Sequence, residues 1–477
     1  MTSNLYSLLL SAADECPDKL FLAFNDERIS YAGALESSRK FSGLLRARGL
    51  AAGDRVLLNV GNVPEMVYAI LGSLNIGAVP VLVNPAARRH ELRFYIEKTR
   101  PGMVVTRSES MAHFRVDGNP LLDDNSFLFI DDAVPERNFA RRVASSKGAD
   151  ECVTLDDDHP AFIIFTAAED GFPGGAMITH RAMFETGNLS GEMRAHQGDT
   201  TLAVLPLFHA FGLITSVLLP LYNRSSVLLV ERFTIRRVAE LIMSGDITVF
   251  CGVPAMYLTL SRVLERTAGL DRVRVWVSGG EAIQASLQDE MLSRFGAEVR
   301  QGYGLTEASP IVTWNSLGKE NRHGSVGNAM PYNEVKLVRD GRDADEGEVY
   351  VRGVNVVPGY YSDDEKTRAA ISGGWLRTGD LASRDGEGCY WIRGRVKEMI
   401  LRNGFNVYPR EVERILSLHP GVERVDVSGN IGCEGSRDSL AAAVRRKNGA
   451  VLDEKMFRDW CADNISSYKI PDMIRFD

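Results

Sequence analysis

The chain is poor in cysteine: six residues in 477, at positions 16, 152, 251, 389, 433 and 461. No two lie close enough for a CxxC pair, which excludes a zinc ribbon or a dithiol redox motif. Six thiols are also too few for a disulfide scaffold, so a reducing cytoplasmic setting is expected. Histidine is sparse too, eight residues without an HExxH. No excess of positive charge exists: 55 Lys+Arg against 63 Asp+Glu gives a formal charge of −8. That balance gives no electrostatic footprint for nucleic acid or an anionic membrane. The N-terminal segment lacks a cationic stretch before its short apolar run, so no signal peptide is expected. One uncharged stretch, residues 203–221, approaches the length of a membrane span. It contains Pro206, His209, Gly212 and Pro220, and these breakers predict a buried loop and helix, with no integral membrane span.

What is present is an ordinary globular composition, 44% hydrophobic and 25% charged, long enough for about three units. Short β-branched runs at 55–60, 79–83, 103–106, 161–165, 201–205, 226–229, 248–251, 273–277 and 298–301 alternate with helical patterns. Residues 34–48 place Phe41, Leu44 and Leu45 on one face and stop at Gly49; 64–74 and 235–244 are similar. This alternation predicts an α/β protein with two helix-covered, mostly parallel sheets. After about residue 320, short strands at 334–338, 347–352 and 389–392 lie between Gly- and Asp-rich turns, which predicts a small β-barrel-like subdomain. Pro409 suits the first turn of a helix carrying Val412, Ile415 and Leu416. The expected plan is a large N-terminal domain, 1–396, then a small α+β cap, 397–477.

Three runs suggest chemistry. In Gln301-Gly302-Tyr303-Gly304-Leu305-Thr306-Glu307, the glycines permit close approach to a flat ligand and Tyr303 offers a stacking face. Thr306 and Glu307 suit a phosphate and its Mg²⁺. Read blandly, the run is a glycine-rich turn with a surface Glu. In Trp375-Leu376-Arg377-Thr378-Gly379-Asp380, the carboxylate suits the two hydroxyls of a ribose, or is an ordinary Asx turn. The third run, Ile392 to Glu398 followed by Gly404-Phe405-Asn406-Val407-Tyr408-Pro409, is by itself a charged linker and a helix start.

In this order the runs resemble the adenylate-forming superfamily of acyl-CoA synthetases, amino-acid adenylation domains and luciferases, and look closest to fatty acyl-CoA ligases. Residues 165–180, 205–209, 277–281 and 347–353 extend the resemblance over nearly the whole chain. It implies that Tyr303 stacks on adenine, with Gly279, Gly280, Glu281, Gln301, Gly302, Gly304 and Ile392 around it, and that Asp380 and Arg395 hold the ribose. It implies a phosphate loop containing Thr166, Gly171 and Gly175, with Thr306 at the α-phosphate and Glu307 on Mg²⁺. His209 becomes a gate beside the substrate carboxylate, Lys397 a hinge, and Gly404, Phe405 and Asn406 the lining of a CoA tunnel. The implied reaction converts a carboxylate and ATP into acyl-AMP and pyrophosphate, and then forms acyl-CoA and AMP. The apolar flanks of His209, where amino-acid-activating relatives place an Asp, favour a fatty or aromatic acid. An enzyme loading a carrier protein, or a nucleotide-binding protein without turnover, remains an alternative; an oligomer is compatible with the sequence.

Two departures stand out. The phosphate loop carries Glu169 and Asp170, and Gly174 occupies the place of the usual lysine. Two anions within about 5 Å of a triphosphate would each repel it by roughly 1–4 kcal/mol, unless the loop turns them outward, Mg²⁺ bridges them, or pyrophosphate is handled weakly. The chain also ends after Tyr468-Lys469-Ile470-Pro471, before the Gly-Lys segment that promotes adenylation in the family. The cap is therefore expected to be incomplete and adenylation slow, and Lys469 to be structural.

Overall fold

The computed structural model describes residues 4–116, 118–167, 170–187, 189–264, 269–396, 400–402, 405–430 and 438–476. Its largest sheet has nine strands, in the order Asn328–Ala329, Ile311–Trp314, Val299–Gly304, Val275–Ser278, Val249–Gly252, Thr200–Ala203, Ser226–Leu229, Leu20–Phe24, Glu27–Ser30. The central pairs are parallel and both edges are antiparallel. Parallel strands covered by helices need apolar side chains on both faces, and every residue of Val275–Ser278 and Val249–Gly252 is buried.

A second sheet of six strands runs Gly174–Thr179, Pro160–Thr166, Val79–Leu82, Arg55–Leu58, Met103–Thr106, Phe127–Phe129. It too is parallel, except for the antiparallel hairpin between Pro160–Thr166 and Gly174–Thr179. The helix Tyr31–Ala47 packs on the helix Pro64–Asn75. It starts where the Ser30 side chain accepts the Gly33 N–H at 3.1 Å, and the chain turns at Gly49 with φ +80°. Its Phe41, Leu44 and Leu45 are buried, each contributing about 1.5–3 kcal/mol.

The 203–221 stretch folds as expected. The helix Ala210–Leu213 passes through a widened π turn, Ile214–Leu218, into Leu219–Asn223. Pro220, which lacks an N–H, follows the widened turn. No helix among the described residues is long and apolar enough to cross a membrane.

The strands from Asn333–Arg339 to Tyr390–Arg395 form the expected small antiparallel unit. Among the described residues no pairing closes it into a barrel; Arg342–Ala344 stays at one edge. A further three-stranded sheet, Val422–Asn430, Ser439–Arg446 and Met473–Phe476, carries the helices Pro409–Leu416 and Glu454–Asn464. Val412, Ile415, Leu416, Val444 and Phe457 form its own buried core.

Candidate functional site

Neighbouring parallel strands of the large sheet deliver their C-terminal ends to one place, where ligands of open α/β sheets are bound. Val275–Ser278 leads into Gly279, Gly280 and Glu281; Val299–Gly304 carries Gln301 and Tyr303; Thr200–Ala203 leads to His209. The Gln301 Nε2 donates to the Glu281 carbonyl at 2.6 Å, tying two of these ends together. Burial pushes the Glu281 carboxyl above its ordinary range, and Asp438 adds to the effect.

Tyr303, Asp380 and Arg395 converge, although 77 residues separate the first two. The Tyr303 hydroxyl donates to Asp380 Oδ2 at 2.7 Å. The Arg395 Nε stands 2.6 Å from Asp380 Oδ1. The register explains the second contact, because Asp380 and Arg395 face each other across the pair Trp375–Arg384 and Tyr390–Arg395. Arg395 Nη1 also donates to the Tyr408 hydroxyl at 2.9 Å, a partner the motif reading missed. Burial pushes the Asp380 carboxyl upward while the guanidinium pulls it back. Burial likewise raises the Tyr303 phenol well above its usual range, reinforced by Asp380. Ile392 packs into the same apolar cluster as Tyr303.

The glycines flanking Tyr303 serve the chain's own packing. A Cβ on Gly304 would lie 1.8 Å from the Pro310 carbonyl oxygen, and one on Gly302 3.0 Å from the Trp314 ring. Close approach by the 310–314 segment thus calls for glycine here, beside the access by a flat ligand first inferred. At Gly279 the neighbour is the Phe211 ring, 3.0 Å from a Cβ, and Gly280 has φ +84°.

Glu307 sits in the single turn Thr306–Ala308, directly after these residues. Its Oε1 accepts the Thr166 hydroxyl at 2.8 Å and the Tyr360 hydroxyl at 2.9 Å. Thr306 is half-buried beside it. Thr166 ends the strand Pro160–Thr166 and pairs with Gly174 across the hairpin, so the carboxylate is held at the hairpin's loop end. Tyr360 was not legible as a site residue; burial raises its phenol, and Glu307 adds to the shift.

Of the loop's two acids, Asp170 is neutralised. Lys366 Nζ donates to its two oxygens at 2.9 and 2.8 Å, and to the Phe172 carbonyl at 2.7 Å. The feared repulsion from Asp170 is thus answered within the protein. Glu169 lies outside the described residues, as do Lys397 and Gly404. Gly171 has φ +84°, and its carbonyl accepts Arg414 Nε at 2.8 Å. The Gly175 carbonyl accepts the Tyr361 N–H at 2.7 Å.

His209 is half-buried beside Phe208, with ring centroids 4.7 Å apart, and its buried Nε2 has no hydrogen-bond partner among the described residues. Burial lowers its pKa to about 4, so the ring is neutral at pH 7. Phe405 approaches from the cap, 5.5 Å from His209 and stacked at 4.4 Å on Tyr468; Asn406 is exposed. Lys469 is buried between Glu91 and Glu411, at 2.7 and 2.6 Å.

Mg²⁺ has a modest donor set here. Among the described residues no three His, Cys, Asp or Glu side chains gather around a common point. A lone half-buried carboxylate, Glu307, suits an ion completed by substrate phosphates and water, the usual manner of Mg²⁺ binding at polyphosphates.

The comparisons with known proteins agree in kind. The profile described as "AMP-binding enzyme" matches residues 9–361. The long-chain-fatty-acid–CoA ligase of Bacillus subtilis (strain 168) is 25% identical over 99% of this chain and 91% of its own length. The 4-coumarate–CoA ligase 1 of Solanum tuberosum is 28% identical over 93% of this chain and 84% of its own. The structure of ATP-bound MatB from Rhodopseudomonas palustris superposes with a TM-score of 0.76 at 27% identity, covering 100% of this chain and 95% of that one.

Proposed function

The chain belongs to the AMP-binding enzyme family, among its acyl- and aryl-CoA ligases, and from that premise we propose that it joins a fatty or aromatic carboxylic acid to CoA through an acyl-adenylate. A carboxylate repels nucleophiles. Its attack on the α-phosphorus of ATP expels pyrophosphate and leaves a carbonyl whose leaving group is AMP. The CoA thiolate then attacks that carbonyl, the carbon–oxygen bond breaks, and AMP departs. The protein's part is to position these groups and to neutralise charge as it grows.

The observation that carries the reading is the meeting of Tyr303, Asp380 and Arg395 beside Glu307 and the hairpin loop. Asp380 accepts the ribose hydroxyls, with Arg395 fixing its orientation, and the Tyr303 ring covers adenine against Gly279 and Gly280. Ile392, Gln301, Gly302 and Gly304 complete the wall. Thr166, Gly171, Gly175 and Thr306 face the phosphates, and Glu307 holds Mg²⁺, which supplies charge neutralisation when bound.

His209 orients the substrate carboxylate. Its neutral ring, with Nε2 unpaired among the described residues, stands beside the rings of Phe208 and Phe405, surroundings that suit an apolar acid. Phe405 beside His209 supports thiol entry along the 404–406 segment, and hence CoA as acceptor. The separate core of the cap supports a division at 396/397, with Lys397 as the hinge. A cytoplasmic setting suits the substrates.

The test is incubation with ATP, Mg²⁺, CoA and a panel of fatty and aromatic acids, with acyl-CoA and AMP measured by mass spectrometry. Acyl-CoA and AMP formed in equal amounts are expected. Acyl-AMP that accumulates in the presence of CoA and clears only with a carrier protein would replace the acceptor. Nucleotide binding without turnover of any acid would overturn the reaction.

A further inference from the structure

We propose that Lys366 is the phosphate-binding cation of the 166–174 loop, and that Asp170 is an internal anion holding its ammonium until the triphosphate of ATP displaces it. The inference rests on the nucleotide-site reading above and adds a ligand and an exchange step to it.

The loop itself provides no cation among its described residues. Position 174, where the hairpin re-enters its strand, cannot hold one. A Cβ there would lie 2.5 Å from the Tyr360 ring and 2.9 Å from the Lys366 side chain. The stem of Lys366 therefore fills the space into which a side chain at 174 would grow. Among the described residues its ammonium bonds to loop atoms only: both oxygens of Asp170 and the Phe172 carbonyl, at 2.7–2.9 Å. Three acceptors match the three protons of a lysine.

The two partners differ in freedom. The Lys366 side chain is 13% exposed and that of Asp170 58%. Lys366 stands in the first turn of the helix Asp364–Ala370, whose start is fixed by the Asp363 cap; Asp363 is itself held by Lys98 at 3.2 Å. The same helix is tied to Glu307: Thr367 Oγ1 accepts the Tyr360 N–H, and the Tyr360 hydroxyl reaches Glu307. The cation is thus anchored to the carboxylate assigned to Mg²⁺, while the anion sits on an exposed loop and can swing away. A carboxylate presenting two oxygens to one ammonium imitates two oxygens of a phosphate. A polyphosphate carries several charges against the single charge of Asp170, so Coulomb attraction favours the exchange.

The test is isothermal titration of ATP and, separately, AMP into the wild-type chain and the variants Lys366→Met, Lys366→Arg and Asp170→Asn. Lys366→Met is expected to weaken ATP on the order of tenfold, the loss of a charge-assisted bond, with AMP unchanged because it lacks the outer phosphates. Asp170→Asn is expected to tighten ATP several-fold, and Lys366→Arg to stay near wild type. Both neutral variants break one ion pair. If the pair were only a brace for the loop, both would move ATP affinity in the same direction, and that result overturns the proposal. An equal loss for AMP in Lys366→Met overturns it as well. A wild-type chain that binds neither nucleotide overturns the nucleotide-site reading and this proposal with it.

Discussion

Replacing Lys469 with methionine removes the only positive member of a buried triad. Its ammonium lies 2.7 Å from Glu91, on the helix Arg89–Thr99, and 2.6 Å from Glu411, on the cap helix Pro409–Leu416. All three side chains are under 5% exposed. Burial alone would lower the lysine pKa, but the two carboxylates raise it well above the usual value. Burial alone would raise Glu91, yet Lys469 and Ser466 bring it below 4.5. The variant leaves two carboxylates facing each other without a counter-charge. Breaking a buried pair by removing one partner costs about 3–5 kcal/mol. The escape is to protonate one carboxyl, which at pH 7 costs about (7 − 4.5) × 1.36 ≈ 3.4 kcal/mol from an ordinary glutamate value. Both routes converge on about 3 kcal/mol.

The pH dependence then reverses. In the wild type, Glu91 stabilises above pH 4.5 and the benefit fades as pH falls through its lowered value. Lys469 stabilises below pH 10.5 and the benefit is lost as pH rises through its raised value. In Lys469→Met, lowering the pH from 7 to 5 should restore stability. Guanidinium unfolding at both pH values, with amide exchange of residues 409–416, measures this. A loss below about 1 kcal/mol at pH 7, or a variant that weakens on acidification, would refute the reasoning. Glu411→Gln should cost far less, because one balanced pair remains.

Asp380→Asn keeps the shape of the nucleotide site but removes its charge, and should weaken ATP by roughly 1.5–3 kcal/mol in a binding titration. His209 is neutral above about pH 4, so activity that depends on the neutral ring should be flat from pH 5 to 7; an acid limb near 6.5 that vanishes in His209→Asn would contradict its burial. Gly174→Ala meets the Tyr360 ring at 2.5 Å and should cost about 1–3 kcal/mol in thermal unfolding. Phe405→Ala loses its stack on Tyr468 and should slow thioester formation more than ATP–pyrophosphate exchange.

The interior of the fold was legible because central parallel strands are buried on both faces. Runs such as Val275–Ser278 and Val249–Gly252 therefore announce themselves without any alternation. The edges were not. Glu27–Ser30 has an exposed first half and turns through the non-glycine Asn25 at φ 51°, and Gly174–Thr179 opens with two glycines, which lower strand propensity. At the site, motif spacing marked Tyr303, Asp380, Arg395 and Glu307, and the structure gathers them. Spacing could not mark Tyr360, Lys366 or Tyr408, whose relevance comes from the fold: Lys366 meets Asp170 across 196 residues of chain. The packing role of the glycines was hidden for the same reason, since the segment that crowds Gly304 returns through the single turn Thr306–Ala308.

The gathered side chains share one further property. Each of three carboxylates at the nucleotide site already holds a hydrogen-bond donor of the protein: Asp380 holds the Tyr303 hydroxyl, Glu307 holds those of Thr166 and Tyr360, and Asp170 holds the Lys366 ammonium. Asp380 is buried, and a buried carboxylate without a donor would cost several kcal/mol, so its contact keeps the site intact before substrate arrives. These contacts also set the terms of binding. The ribose must offer Asp380 at least as much as Tyr303 does, and the triphosphate must offer Lys366 more than Asp170 does. Affinity here is a difference between two sets of bonds, so removing an internal donor that does not itself bind the nucleotide should tighten the nucleotide, and Tyr303→Phe, which frees Asp380 while keeping the aromatic face, separates that exchange from stacking.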